Sequence, residues 1–248
     1  MAALAPLALS VAVSFTPSQF LELPRESWTL DWYRAFWSNP LWTQALANSL
    51  LVALLTALLS VAAGLTAALA LERGRLGLKA AWEASLLAPL VLPGVALAAG
   101  MLAWIRQTPL WGTHWSLALA HATLATPVAY LVLRAALEKI DPELEAAARG
   151  LGARPAQAFR LITLPLLRPA LAAASLFAGA ISLNEVTLTL FLATRYTETL
   201  PRVIWPNLRF ALTPLAAAAS GVLLALTLPA IVLAGLAANR RRRSSRGG

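Results

Sequence analysis

The polar groups that could do chemistry in this chain are confined to a few places. The densest is Asp141–Ala170, DPELEAAARGLGARPAQAFRLITLPLLRPA, set between two long apolar stretches. Asp141 followed by Pro142 is a helix start, with an acid at the cap and proline at the first helical position. Glu143 and Glu145 then fall in the first turn, where the helix dipole favours acids. Ala146, Ala147 and Ala148 follow, and Gly150 and Gly152 are placed to end the helix. Pro155 opens a second helix, Ala156–Ile162, which runs up to Leu164–Pro165. The pattern predicts a short, alanine-faced helix flanked by Arg149, Arg154 and Arg160. Such a helix does no covalent chemistry; its alanines let another protein approach closely.

The other polar residues are sparse. Ser182, Asn184 and Glu185 sit near the middle of an apolar block. A carboxylate at membrane depth costs about 2.5–3.5 kcal/mol on insertion scales, so it faces protein or a water-filled path. Three readings of Glu185 stand side by side: a group lining a translocation path, a structural hydrogen bond to a neighbouring helix, or an acid at the outer end of a helix that stops early. His114 and His121 lie seven apart without acidic company, which is no zinc site. Absence of cysteine excludes disulfides and thiol chemistry. A membrane-embedded enzyme would need a cluster of acids, histidines or a Ser/Lys pair, and only Glu83 and Glu185 approach such depth. No GxxxxGK[ST] stretch occurs, so the chain does not itself hold ATP in a P-loop. No catalytic residue, metal or cofactor is expected.

The elements that position these residues are read from hydropathy. Charged residues make up 12% of the chain, about half the share in a soluble domain. Five apolar blocks are long enough to span a bilayer: Ala45–Leu71, Ala80–Trp104, Ser116–Leu137, Leu166–Ala193 and Ala211–Ala238. A sixth, Ala2–Phe15, reaches only about 21 Å against a hydrocarbon core of about 30 Å. It is a signal peptide without a positive start, an interfacial or core-packed segment, or the second half of a spanning helix whose beginning is missing. Pro89, Pro93 and Gly94, Pro127 and Pro229 interrupt spans. Small residues such as Ala62–Gly64 and Ala216–Gly221 allow close helix contact.

The net charge of +9 does not point to nucleic acid, because the cations sit at block ends and in one tail, 239–248. With the Leu71–Ala80 loop inside, fourteen Lys and Arg residues are cytoplasmic and six are outside. That bias sets the orientation and puts the C-terminus inside. If the first block spans, the N-terminus is inside too. Eight of the nine tryptophans fall outside, Trp82 being the exception, as an outer aromatic belt would require.

The Asp141–Ala170 stretch resembles the cytoplasmic loop of ABC-importer permeases of the binding-protein-dependent type. That loop reads EAA, three residues, G, nine residues, I, one residue, LP. Ala147, Ala148, Gly152, Ile162, Leu164 and Pro165 stand at the matching spacings. The glutamate position is occupied by Ala146, and Glu145 lies one residue earlier, so Glu145 is expected to be less exacting than Gly152. The resemblance extends over the chain, including Asn48–Ser49 at the start of a span. It implies an all-α polytopic membrane bundle of six transmembrane helices, forming a single transmembrane domain over 1–248. It also implies that 141–165 is a coupling helix docked on a cytoplasmic ATPase. The implied partners are two ATP-binding subunits, a second permease copy or paralogue, and a periplasmic or lipid-anchored substrate-binding protein, in the bacterial inner membrane. Ser182–Val186, Thr199–Pro201, Leu208–Phe210 and Thr29–Phe36 look like the spermidine and putrescine permeases. Close relatives of that subfamily import ferric iron, thiamine or aminoethylphosphonate, so the substrate remains open between polyamines and these. A secondary transporter is disfavoured because the blocks show no matching halves; a passive channel is not excluded by composition.

Overall fold

The computed structural model describes residues 5–24, 27–74, 77–211 and 213–228. Among them the regular elements are helical: α1 (Ala5–Val13), α2 (Asp31–Ser38), α3 (Pro40–Arg73), α4 (Lys79–Leu87), α5 (Gly94–Ile105), α6 (His114–Leu137), α7 (Pro142–Gly150), α8 (Pro155–Ala158), α9 (Leu164–Asn184), α10 (Thr187–Leu192), α11 (Leu200–Pro206) and α12 (Pro214–Leu228). Three of these runs, α3, α6 and the α8–α9 stretch Pro155–Asn184, are long and apolar enough to cross a membrane. The helices Lys79–Leu90 and Gly94–Ile105 pass the same test only when taken together, which makes the count three, or four if that pair is one broken span. The six expected spans therefore rest on α1 and α12 as well, which are shorter among the described residues. The basic tail 239–248 and Pro229 lie outside the described residues.

Differences from the sequence expectation have local causes. Block Ala80–Trp104 is two helices, because Pro93 cannot donate a hydrogen bond and restricts Leu92 before it. Block Leu166–Ala193 starts earlier, at the end of a π-helical turn over Phe159–Thr163, and stops at Asn184. Pro127 and Pro169 stay inside α6 and α9 without ending them.

The chain divides into two compact units, each with its own core. Among the described residues, one comprises the parts of 5–53, 94–120 and 182–228. Its core packs Phe36 and Trp42 against Leu46, Leu200, Val203, Ile204 and Ala216. Asn48 anchors the polar part of this unit. Its Nδ2 donates to the carbonyls of Tyr196 (3.1 Å) and Glu198 (2.9 Å), while its Oδ1 accepts from Gln44 (3.1 Å) and lies 3.0 Å from His114 Nε2. Ser49 Oγ accepts from the Leu200 N–H at 2.8 Å. The adjacent pair at 48–49 thus fixes the segment that leads into α11. At the exposed start of α2, the Thr29 hydroxyl and then Arg34 hold the Asp31 carboxyl below its ordinary range.

Among the described residues, the second unit comprises the parts of 54–93 and 121–181. Its core joins Ala68 and Leu71 of α3 to Ala129, Tyr130, Leu133 and Leu137 of α6, and to Leu167 and Ala174 of α9. Gly64 is needed here for close approach: a Cβ would stand 2.8 Å from the Tyr130 backbone nitrogen and 3.1 Å from Ala129 Cβ. Arg134 joins three elements. Its Nε lies 2.7 Å from Glu72 and 2.9 Å from Glu138, and its Nη1 pairs with Glu83. Glu83 is thereby a structural ion-pair member.

Candidate functional site

The stretch 141–165 belongs to the second unit and folds as its sequence demands. The Asp141 carboxylate accepts from the Glu143 N–H at 2.9 Å, and Pro142 fills the first turn of α7. Its far end closes with a pair of bonds, Ala153 N–H to Ala148 carbonyl (3.0 Å) and Gly152 N–H to Arg149 carbonyl (3.0 Å). This is a Schellman motif, and it requires a left-handed residue at Gly152, whose φ is +91°. Gln157 Oε1 then accepts the Arg154 N–H at 2.8 Å and starts α8, which continues through the π turn into α9. The second predicted helix, Ala156–Ile162, is thus one turn of α8 followed by a π turn, without a break before Leu164.

Glu145 points into the unit. Arg73 Nη1, at the end of α3, donates to Glu145 Oε1 at 2.5 Å, and the Thr163 hydroxyl donates to the same oxygen. Arg73 Nη1 also reaches Thr163 Oγ1 at 3.4 Å. Thr163 is fully buried, and the Arg73 and Glu145 side chains are 21% and 19% exposed. Ala148, one turn on, is half-buried on the same side. The opposite side is open: Leu144, Ala146, Ala147 and Leu151 are exposed, Leu151 at 91%. Leu161 is exposed too, whereas Ile162, Leu164 and Pro165 are half-buried and tie the stretch to the unit. Exposed Arg149, Arg154 and Arg160 rim this surface. The arrangement presents an apolar ridge with a cationic border and holds no group poised for bond-making.

Asn184 and Glu185 belong to the first unit and lie at a helix break. Asn184 is the exposed last residue of α9, and Glu185 follows it. Glu185 Oε1 accepts the Leu188 N–H at 2.8 Å and its carbonyl accepts the Thr189 hydroxyl at 3.0 Å. The helix does stop early, at Asn184, and the half-buried Glu185 side chain bonds to the turn that follows. It serves the first turn of α10, which packs on α5 beside Gly94. Nearby, Arg202 pairs with Glu198 at 3.4 Å and donates to the Ala193 carbonyl at 2.5 Å.

Two groups of residues escaped the sequence reading. Arg73 gave no signal, because a helix-terminal arginine is ordinary and its partner is 72 residues away. Asn48 was visible only as one half of Asn48–Ser49; a buried amide in an apolar helix is a signal that partners must exist.

Against this geometry, residues 60–243 match the family described as "Binding-protein-dependent transport system inner membrane component". The chain belongs to that family. It is a permease component of an ABC importer, a multi-pass inner-membrane protein that serves transport and not catalysis. The spermidine/putrescine transport system permease protein PotC of Haemophilus influenzae is 29% identical over 93% of this chain and 90% of its own length. The putrescine transport system permease protein PotI of Escherichia coli K12 is 29% identical over 85% of this chain and 77% of its own. Among solved structures, a bacterial alginate ABC transporter in complex with an alginate-bound periplasmic protein matches with a TM-score of 0.70 at 18% identity. That match covers 96% of the permease and 88% of the other chain and bears on the fold.

Proposed function

We propose that the permease forms the path of an ATP-driven polyamine importer and that 141–165 is its cytoplasmic contact with the ATPase. The observation that carries the substrate is the likeness to PotC, named for spermidine and putrescine, over nearly the whole of both chains. The charge pattern is compatible with a cationic cargo: Arg202, one of the arginines that would repel it, is occupied by Glu198 and backbone carbonyls. Glu185 and Asn184, at the break between α9 and α10, are the polar groups offered to the path. For the contact, the supporting feature is the exposed ridge of Leu144, Ala146, Ala147 and Leu151 on a capped helix, since exposed apolar surface rimmed by charge suits a protein partner.

The working assembly has two ATP-binding subunits, a second permease copy or paralogue, and a periplasmic or lipid-anchored binding protein. Both termini and 141–165 face the cytoplasm, as the fourteen-to-six division of cations favours. The deciding experiment is uptake of labelled spermidine and putrescine into vesicles holding the reconstituted complex with its own binding protein. ATP-dependent uptake is expected. A binding protein that ignores every polyamine and takes a metal or an anion would overturn the substrate while leaving the permease role intact.

A further inference from the structure

The acid beside the alanine run does not face the side that a partner would use. On α7, residues 145 and 148 share the half-buried face, and residues 144, 146, 147 and 151 share the exposed one. Glu145 Oε1 collects the Arg73 guanidinium and the Thr163 hydroxyl on that inner face. Arg73 ends α3, and Thr163 ends the π turn that runs into α9. A single carboxylate oxygen therefore joins three segments: α7, the end of α3 and the start of α9.

We propose that Glu145 is a positioning residue that clamps α7 to the end of α3 and to the start of α9. Displacement of α7 then reaches both helices at once, and Glu145 makes no contact with the ATPase. The inference rests on the reading of 141–165 as the ATPase contact. Two observations make the clamp more than a surface ion pair. Thr163 is fully buried, and Arg73 Nη2 is buried without a partner, so loss of Glu145 strands the Thr163 hydroxyl donor and leaves the guanidinium one long bond, from Nη1 to Thr163 Oγ1. The two charges are also mostly covered, so the pair is screened less than an exposed one. The one-residue displacement of the acid has a physical reading in these terms. One step along a helix turns a side chain by about 100°, enough to carry it from a partner-facing side to an inward one.

The test uses the complete complex in vesicles, with uptake and ATP hydrolysis measured on the same sample and normalised to assembled complex. Glu145→Ala and Arg73→Ala are each expected to lower uptake per ATP about tenfold, and the double variant to lower it no further. The reversed pair, Arg73→Glu with Glu145→Arg, is expected to recover most of the ratio, while either reversal alone loses it. A neutral Arg73→Ala beside a damaging Glu145→Ala, or reversed charges no better than the single reversals, would overturn the clamp. Because the chain lacks cysteine, Leu151→Cys gives one thiol for crosslinking to the ATPase. A crosslink with a normal uptake ratio in Glu145→Ala would overturn the clamp alone. No crosslink in the otherwise unaltered chain would overturn the docking reading together with the clamp.

Discussion

Gly152→Asp separates a defect inside the permease from a defect at its partner. The residue holds φ at +91°, where a Cβ costs about 1–2 kcal/mol. A Cβ built there meets nothing within 4 Å, so overpacking adds nothing. Against a folding free energy of about 5–15 kcal/mol, that strain leaves the chain inserted and folded. A carboxylate enclosed by a docked partner is different, since taking an ion out of water costs several kcal/mol, of which the exposed rim arginines return only a part. Three kcal/mol corresponds to about a hundredfold. The expected result in reconstituted vesicles is a normal amount of assembled permease, continued ATP hydrolysis and uptake reduced about a hundredfold. Gly152→Ala carries the strain without the charge and should lose tenfold or less, roughly the value of 1.4 kcal/mol. Gly112→Asp supplies a control, with φ at +79° and only Thr194 Cγ2 near, at 3.6 Å. It should transport normally. Normal uptake by Gly152→Asp, or an equal loss in Gly112→Asp, would refute the reasoning.

Further outcomes follow from the packing and the charge pattern. Gly64→Leu drives a side chain into the Ala129–Tyr130 backbone and should lower stability by about 1–3 kcal/mol or more, seen as a lower melting temperature in detergent; Gly100→Ala, with nothing within 4 Å, should not. Asn48→Ala removes the bonds to the Tyr196 and Glu198 carbonyls, worth about 0.5–1.5 kcal/mol each. Asn48→Asp, which has no donor, should be at least as unstable in the same melt, and an unchanged melt would refute the anchoring role. Reporter fusions after Lys79 and Lys139 should read cytoplasm, and those after Trp111 and Tyr196 should read the outside. A cytoplasmic signal at Tyr196 would invert the orientation.

The parts of this fold that were legible in the sequence are those set by neighbours along the chain. Asp141, Pro142 and Gly152 fixed both ends of α7, because caps and left-handed termini are decided within a few residues. α6 runs His114–Leu137 against an expected Ser116–Leu137, because an unbroken apolar run long enough to span is itself a property of neighbours along the chain. The stop at Asn184 was only one of three readings of Glu185, because no proline or glycine marks it and apolar residues continue to Ala193. Past that stop the Glu185 side chain bonds forward to the Leu188 N–H, and α10 packs on α5. The Arg73–Glu145–Thr163 junction was hidden more deeply, since its members are 72 and 18 residues apart and each is commonplace where it stands. Local rules placed the acid; only tertiary packing gave it a task.

That same junction has a consequence in time. Arg73 leaves the ribosome 72 residues ahead of Glu145. At about 5–20 residues per second, this leaves it unpaired for about 4–14 s during synthesis. In the proposed orientation, this is when the insertion machinery weighs cations at the end of the emerging α3, and acids count for little in that weighing. Only afterwards does Glu145 arrive and neutralise the guanidinium. One arginine thus serves twice in succession, first as a free charge that retains a loop in the cytosol and later as half of a closed pair.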